Sequence, residues 1–241
     1  MKRFIDIIAS LFGLLVTLPI TLIFIVLIWL QDFHSPFYIA PRVAKGNKSF
    51  KMVKLRSMVV NADKSGVDST SANDKRITWV GHLIRKFKLD ELSQLWNVLI
   101  GDMSLVGPRP NVRRDVDLYT KRELELLSVR PGITDISSIV FSDEGDILAG
   151  AHDPDLKYNQ VIRPWKSRLG LLYIENQSVL LDLKLIAWTV LAILSKDTAL
   201  RRIESLLLKL NASPELRKAA KRDSELLPYP PPGSNEIVTK R

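Results

Sequence analysis

Two adjacent carboxylates, Asp90 and Glu91, lie within the basic stretch RKFKLDELSQLWNVLIGDMSLVGPRP at residues 85–110. Arg85 begins this stretch, and Arg109 lies near its end between two prolines. The prolines restrict the backbone around Arg109 and favour an extended conformation. A guanidinium held in this way is preorganised for bidentate binding of an anion such as a phosphate. The stretch therefore combines a candidate phosphate-binding arginine with a pair of acids.

The acid pair is compatible with a structural role and with two chemical roles. Carboxylates in the first turn of a helix complement its dipole, and ion pairs with neighbouring lysines need no function. Beside phosphate-binding bases, Asp90 and Glu91 are suited to holding Mg²⁺, which takes one or two carboxylates together with substrate phosphates. A carboxylate can also attack phosphorus and form an acyl phosphate. Further cations that favour a phosphate site are Lys54, Arg56, Arg113 and Arg114.

The composition limits the classes of chemistry. The chain of 241 residues carries a formal net charge of +9, which suits binding to nucleic acid, anionic lipid or a phosphorylated substrate. It has no cysteine, which excludes disulfides, thiolate catalysis and cysteine-ligated zinc. The three histidines, His34, His82 and His152, have no metal-ligand spacing. The sequence also contains no Walker or dinucleotide-binding glycine loop.

Residues 4–30 form a hydrophobic segment in which Asp6 is the single charged residue. A straight helix of this length would reach about 40 Å, more than the ~30 Å hydrocarbon core of a bilayer. The segment is too long for the apolar core of a signal peptide, and no small-residue cleavage site follows it. An ordinary membrane span and a re-entrant hairpin both fit its length.

Pro19, near the middle of this segment, favours the re-entrant hairpin. A proline removes one backbone donor and clashes with the preceding turn, and Thr17 or Thr21 could satisfy a freed carbonyl. Lysines and arginines flank the segment on both sides, and such flanks prefer the cytoplasm. A helix broken at Pro19 places both flanks on that side, whereas a straight span does not. We therefore expect a re-entrant membrane hairpin over residues 1–35.

The next segments predict a small α+β unit. Residues 37–58 are typical of a β-hairpin around a glycine-containing turn, and residues 60–76 of a mobile loop rich in Ser, Asp and Asn. Residues 89–100 predict a helix with leucines and Trp96 on one face. On this interpretation the apolar face is buried, and Asp90 lies on the opposite, polar face.

The C-terminal half is predicted to be mostly helical. The most apolar helix has an uncharged stretch that is too short to span a bilayer, so we expect a core or interfacial helix there. The predicted segments are a charged amphipathic helix at 111–128, an acidic loop at 141–155, helices at 165–178 and 179–195, an amphipathic helix at 199–210, and a disordered tail from residue 213.

Together these motifs resemble those of the bacterial sugar transferases that are monotopic phosphoglycosyl transferases. The resemblance extends from about residue 1 to residue 196 and rests on motifs that are each weak alone but specific in this order. They are the proline-containing hydrophobic segment, KMVKLRSM ending at Met58, the stretch LIRKFKLDELSQLWNVLIGDMSLVGPRP, RPGIT at 130–134 and LLDLK at 180–184.

Members of this family transfer a sugar phosphate from a UDP-sugar to a polyprenol phosphate. The resemblance implies that Asp90 attacks the phosphate that bears the sugar, expels UMP and forms a phosphosugar–aspartyl intermediate. It also implies that Glu91 orients or deprotonates the incoming polyprenol phosphate, and that Mg²⁺ bridges both acids and the diphosphate. The expected phosphate-binding residues are Arg85, Arg109, Lys54 and Arg56.

We therefore expect an α+β, mainly helical fold. A re-entrant membrane helix–break–helix at residues 1–35 precedes a compact cytoplasmic catalytic domain at 36–196, with a small β-hairpin and interfacial amphipathic helices. Residues 197–241 form an amphipathic helix and a disordered C-terminal tail. The resemblance implies the bacterial inner (cytoplasmic) membrane, with the catalytic domain on the cytoplasmic face. The expected partners are a UDP-sugar, undecaprenyl (polyprenol) phosphate and membrane lipids. We expect no nucleic-acid partner. The sequence leaves open whether the protein forms a homo-oligomer.

Three departures from the family pattern lie outside the acid pair. Leu18 replaces the usual serine before the break proline, and Asp135-Ile136-Ser137-Ser138 replaces Gly-Trp-Ala-Gln. Gly170 stands where the family has an acid, and the acidic insertion near 143–155 is also unusual. These changes affect the expected sugar specificity more than the expected reaction.

The implied role is the first membrane step in assembly of a surface glycan, such as an O-antigen, capsule or exopolysaccharide. Two other functions stay open. A membrane-tethered module that binds nucleic acid or lipid would explain the net charge, but not an acid pair among the bases, and base-stacking aromatics interleaved with arginine are missing. An inactive scaffold is the other alternative, and the intact acid pair and Pro-Arg-Pro motif count against it.

Overall fold

A computed structural model describes residues 1–240, which are mainly helical with two small two-stranded sheets. The helices are α1 (Lys2–Asp32), α2 (Trp79–Lys86), α3 (Gln94–Ile100), α4 (Arg113–Val116), α5 (Ile136–Val140), α6 (Glu144–Ile147), α7 (Pro154–Lys157), α8 (Arg163–Asn176), α9 (Val179–Leu194), α10 (Lys196–Lys209) and α11 (Pro214–Lys221). The strands are β1 (Phe37–Val43), β2 (Ser49–Leu55), β3 (Ser104–Val106) and β4 (Gly132–Thr134).

The predicted β-hairpin is confirmed. Strands β1 and β2 pair in antiparallel register from Phe37 opposite Leu55 to Val43 opposite Ser49. The chain reverses through a short 3₁₀ turn in which Gly46 has a φ of 69°, a left-handed conformation that favours glycine. Lys54 is the next-to-last residue of β2, the strand from which the chain continues towards α2.

A second, parallel sheet was not predicted from the sequence. It joins β3 to β4, with Ser104 opposite Gly132. The backbones then approach so closely that a Cβ atom at Gly132 would lie 2.1 Å from the amide nitrogen of Gly107. The glycines of the GPRP and RPGIT motifs are therefore needed for this contact, and the contact fixes the loop that carries Arg109.

The main hydrophobic core lies among α5, α8, α9, α10 and α11. The predicted helices at 165–178, 179–195 and 199–210 are confirmed as α8, α9 and α10. Leu169, Leu185 and Ile203 are fully buried at the contacts between these helices. On the opposite side of α9, Leu183, Leu194 and neighbouring apolar residues are exposed, as expected for an interfacial helix.

Helix α1 is the one helix in the described residues that is long and apolar enough to cross a membrane. Its helical assignment continues through Pro19, so the sequence-based expectation of two helices with a break between them is not met. Thr17 donates a hydrogen bond to the carbonyl of Gly13 at 2.7 Å, which is typical of bent helices. This is not the carbonyl freed by Pro19, which is that of Leu15 four residues earlier. The re-entrant arrangement itself stays a prediction.

The two ends of α1 contact the same globular domain. At the N-terminal end, the Lys2 ammonium lies 2.5 Å from Asp182 of α9, and Asp6 accepts a hydrogen bond from the Ser104 hydroxyl at 2.9 Å. At the C-terminal end, Asp32 pairs with both terminal nitrogens of Arg56, at 2.6 and 2.7 Å. Between these points the helix follows the surface of the domain, and its other side is exposed.

Two predictions for the C-terminal half are corrected. Residues 111–128 do not form one helix, because the chain forms α4, a break at the residues around Thr120 and a 3₁₀ turn over Glu123–Ser128. The acidic segment 141–155 is more structured than a loop, since α6 and the first residues of α7 lie within it. Short helices of this kind lack the periodic pattern that identifies longer ones.

The predicted disorder from residue 213 onward is also corrected, apart from residue 241, which lies outside the described residues. Helix α11 packs on the core, and the proline-rich tail then runs along α8. The Tyr229 ring stacks on Trp165 with 4.3 Å between ring centroids, and Gln160 donates to the carbonyl of Val238 at 2.8 Å. The composition of the tail indicated disorder, but two aromatic rings and several backbone acceptors attach it to the domain.

Candidate active site

Asp90 and Glu91 lie on a tight 3₁₀ turn between α2 and α3, and not within a helix as predicted. Lys88 precedes this turn in a left-handed conformation, with a φ of 56°. A left-handed non-glycine residue carries a cost of about 1–3 kcal/mol and is maintained by its surroundings. The conformation of Lys88 ends the path of α2 and turns the acid pair towards β2.

The predicted orientation of residues 89–100 is wrong, because the polar face is the buried one. Asp90 and Asn97 are buried, whereas Trp96 is 51% exposed. The Asn97 amide accepts a hydrogen bond from the Val53 backbone at 2.9 Å and donates one to the Lys51 carbonyl at 2.8 Å. These bonds hold the polar face of α3 against β2, so the apolar face is left to contact α1 and the exterior.

Each acid of the pair faces a cation. Lys54 of β2 places its ammonium 3.5 Å from the Asp90 carboxylate. Arg109, on the loop after β3, places its guanidinium 2.9 Å from the Glu91 carboxylate. The same Arg109 nitrogen donates to the carbonyl of Ile133 at 3.0 Å, which fixes the side chain in the site. The structure thus brings together four predicted site residues from three separate segments.

The surrounding charges keep the site ionised. Burial would raise the pKa of Glu91, but Arg109, Lys54 and Lys88 outweigh it and lower that pKa to about 2. Glu91 in turn raises the pKa of Arg109. Burial lowers the pKa of Lys54, an effect that the Asp90 carboxylate opposes. Glu91 is therefore a carboxylate and Arg109 a cation at any pH near neutrality.

Two predicted phosphate-binding residues are not joined to the acid pair. Arg56 is buried and uses its guanidinium to hold Asp32 and the carbonyl of Ser35, so the structure assigns it to the attachment of α1. Arg85 lies in the last turn of α2. Among the described residues, no hydrogen bond or ion pair connects Arg85 with Asp90 or Glu91, although its charge contributes to lowering the pKa of Asp74.

Glu144, which was not predicted from the sequence, carries a further charge that acts on this site, since it contributes to raising the pKa of Arg109. It begins α6 and forms an ion pair with Lys166 of α8. Burial would raise the pKa of Glu144, but Lys166, Arg109 and Lys88 lower it. The charge on the segment 141–155 was the available signal. Nothing in its spacing indicated an influence on Arg109, because that influence depends on the tertiary fold.

The profile of the bacterial sugar transferase family matches residues 1–196. The chain belongs to this family. A protein of Aeromonas hydrophila named UDP-N-acetylgalactosamine-undecaprenyl-phosphate N-acetylgalactosaminephosphotransferase is 36% identical over 198 residues, which cover 80% of this chain and 44% of that protein. A Bacillus subtilis protein named putative undecaprenyl-phosphate N-acetylgalactosaminyl 1-phosphate transferase is 48% identical over 109 residues, 45% of this chain and 61% of that protein.

A third member of the family, in Caulobacter vibrioides, is named UDP-glucose:undecaprenyl-phosphate glucose-1-phosphate transferase. It is 31% identical over 201 residues, which cover 82% of this chain and 71% of that protein. The chain spans about half the length of the Aeromonas and Bacillus relatives. The names of these relatives include different sugars, so family membership does not identify the sugar.

The carboxylate oxygens of the acid pair are suitable ligands for Mg²⁺, whose remaining ligands a substrate would supply. Asp90 and Glu91 offer two carboxylates from adjacent residues, and Mg²⁺ commonly binds one or two carboxylates together with phosphate oxygens and water. The described part of the chain contains no group of three or more His, Asp or Glu residues suited to a metal. The protein therefore offers part of a coordination shell, and not a complete cage.

Proposed function

We propose that this protein is a membrane-bound phosphoglycosyl transferase that moves a sugar phosphate from a UDP-sugar to undecaprenyl or another polyprenol phosphate. This reaction would begin the assembly of a surface glycan. The observation that carries the proposal is the placement of two adjacent carboxylates against two cations, Asp90 with Lys54 and Glu91 with Arg109. The relatives support it, since their names include undecaprenyl phosphate and sugar phosphotransferase activity.

In the first half-reaction, a carboxylate oxygen of Asp90 attacks the phosphorus that bears the sugar. The new bond from oxygen to phosphorus forms as the bond from this phosphorus to the bridging oxygen breaks. UMP leaves with that oxygen and its electron pair. Lys54 and Arg109 compensate the charge of the phosphates, which is the main requirement for attack by an anion on an anionic group. The product is a phosphosugar–aspartyl intermediate.

In the second half-reaction, a phosphate oxygen of the polyprenol phosphate attacks the same phosphorus and expels the Asp90 carboxylate. A pKa of about 2 makes Glu91 a poor general base near neutral pH. This supports an orienting role for Glu91, through Arg109, in preference to proton removal. Asp90 and Glu91 would hold Mg²⁺, which supplies neutralisation of the diphosphate charge when it is bound.

The same proposal includes a re-entrant α1 in the inner membrane, with the catalytic domain on the cytoplasmic face. It is supported by ion pairs that attach both ends of α1 to one domain, Lys2 with Asp182 and Asp32 with Arg56. It is also supported by the exposed apolar side chains along α1, such as Phe12 and Leu15. A helix that crossed the bilayer would separate its ends by the hydrocarbon core of ~30 Å, with one on each side.

UMP release tests the proposed function. The purified full-length protein is incubated with polyprenol phosphate, Mg²⁺ and a panel of UDP-sugars, and we expect UMP to appear with at least one donor. Quenched reactions without acceptor should contain protein heavier by one sugar phosphate, with the added mass on the peptide that contains Asp90. Asp90→Asn should lose both signals and keep membrane association. UMP release without any adduct would exclude the covalent mechanism, and absence of UMP with every donor would exclude the proposed function.

A further inference from the structure

Helix α1 carries a buried carboxylate that is bonded to the catalytic domain. Asp6 is 2% exposed, and it is the single charged residue of the hydrophobic segment 4–30. Its carboxylate accepts hydrogen bonds from the Ser104 hydroxyl at 2.9 Å and from the Leu105 amide at 3.1 Å. Both donors belong to β3. A carboxylate is costly to bury unless its oxygens accept such bonds, so Asp6 and β3 hold each other in place.

Lys2, four residues before Asp6, binds the last residue of the same strand. Its ammonium donates to the Val106 carbonyl at 3.0 Å and to the Tyr173 hydroxyl at 3.0 Å. The Tyr173 hydroxyl donates to the Asp182 carboxylate at 2.6 Å, which also pairs with Lys2. Each residue of β3 is therefore hydrogen-bonded to a side chain from the first two turns of α1.

The strand that α1 holds leads directly to Arg109. Arg109 is the third residue after β3, and it lies between two prolines, which leave this connection little conformational freedom. Strand β4 holds the same loop from another direction. The Gly107 amide donates to the Thr134 carbonyl at 2.9 Å, and Arg109 itself donates to the Ile133 carbonyl at 3.0 Å. The position of β3 therefore determines where the Arg109 guanidinium can lie.

We propose that Asp6 is a positioning residue for Arg109, so that the membrane-suited helix α1 sets the geometry of the phosphate site. This inference rests on the proposed function, in which Arg109 binds the phosphates of the donor. Without the Asp6 carboxylate, two bonds to β3 are lost and the loop that carries Arg109 is held by β4 alone. A displaced guanidinium no longer matches the phosphate oxygens, and bidentate binding depends strongly on such geometry.

A double-mutant cycle separates this role from simple attachment of α1. The kcat/KM of UMP release is measured with the best UDP-sugar of the panel, for the full-length wild type, Asp6→Ala, Arg109→Gln and the double variant. We expect Asp6→Ala to lower kcat/KM by about tenfold or more in the wild-type background. In the Arg109→Gln background it should lower it by less than about twofold, because the group that Asp6 positions is absent.

Two further variants show whether the effect is specific. Asp6→Asn keeps an oxygen that accepts from the Leu105 amide and gains an amide that can donate to the Ser104 hydroxyl oxygen, so its kcat/KM should stay within about threefold of the wild type. Arg3→Gln is the matched control, since Arg3 attaches the same end of α1 to the Leu99 carbonyl of α3, at 2.8 Å. Any effect of Arg3→Gln should be the same factor in both Arg109 backgrounds.

Melting temperatures establish which variants fold. If Asp6→Ala does not fold, Ser104→Ala removes one of the same hydrogen bonds, and its loss of about threefold should likewise disappear in the Arg109→Gln background. Equal factors in the two backgrounds, or wild-type kinetics for Asp6→Ala, would overturn the positioning role while the wild type still releases UMP. If the wild type releases UMP with none of the donors, the proposed function is refuted, and this inference with it.

Discussion

Arg109 and Glu91 are in direct contact, with 2.9 Å between a guanidinium nitrogen and a carboxylate oxygen. The contact joins the Pro-Arg-Pro stretch to the acid pair, and the close packing of Gly107 on Gly132 holds the loop that carries Arg109. Because each partner strengthens the charge of the other, Arg109 has two tasks. It keeps Glu91 ionised, and it offers a preorganised cation to a phosphate.

Replacing Arg109 should therefore impair activity more than the loss of one surface charge would. We expect Arg109→Gln to lower kcat/KM by about 100-fold, the loss typical of removing one or two charge-assisted hydrogen bonds from a site. UMP release at varied donor concentration measures this effect. Arg122→Gln is the control, since Arg122 is an exposed arginine that pairs with Glu125 and Glu175, and it should retain near-wild-type kinetics. Similar kinetics for the two variants would contradict a direct role for Arg109.

The low pKa of Glu91 predicts a stability change in acid. Because the folded-state pKa of about 2 lies below the ordinary value of 4.5, the ionised side chain stabilises the fold fully above pH 4.5, and this contribution is lost as the pH falls towards 2. The melting temperature of Glu91→Gln should thus be lower than that of the wild type at neutral pH, and the gap should narrow below pH 4.5. Glu225→Gln, at an exposed position, should show no such trend. A gap that is independent of pH would mean that the charge of Glu91 does not stabilise the fold.

Local features of this chain could be predicted from its sequence, whereas contacts between distant segments could not. The β1–β2 hairpin and helices α8, α9 and α10 were predictable, because turn residues and periodic leucines identify them locally. The clustering of Asp90, Glu91 and Arg109 was anticipated from the basic stretch that contains them, and the family resemblance added their expected roles. Pairs such as Arg56 with Asp32 join distant segments, and nothing in their spacing indicates such a pair.

The inverted orientation of α3 has a separate cause. The usual rule buries the apolar face of a helix, so we expected Asp90 at the surface and Trp96 in the interior. That rule assumes water on the outside, whereas α3 lies beside α1, the helix suited to a membrane. Next to an apolar helix, the apolar face of α3 can remain outside while its polar face bonds to the edge of β2.

The attachment of both ends of α1 to one domain predicts a labelling pattern. Because the natural chain has no cysteine, single cysteines can be placed in an N-terminal tag and at Ser35. In sealed inverted vesicles, an impermeant maleimide should label both positions, and in intact spheroplasts it should label neither. Lys48→Cys in the turn of the hairpin, an exposed position on the domain, is the reference for the domain's side. Labelling of the tag and Ser35→Cys from opposite sides would show that α1 spans the membrane.

The ordered tail predicts a loss of stability when its aromatic contact is removed. Tyr229 stacks on Trp165, and the Arg168 guanidinium lies 4.9 Å from the Tyr229 ring centroid. Truncation of such a partly buried ring should cost about 1–3 kcal/mol, so Tyr229→Ala should melt several degrees below the wild type. Leu227→Ala is the matched control, because Leu227 is 70% exposed two residues earlier in the same tail. If both variants have the same melting temperature as the wild type, the tail does not pack on α8 in solution.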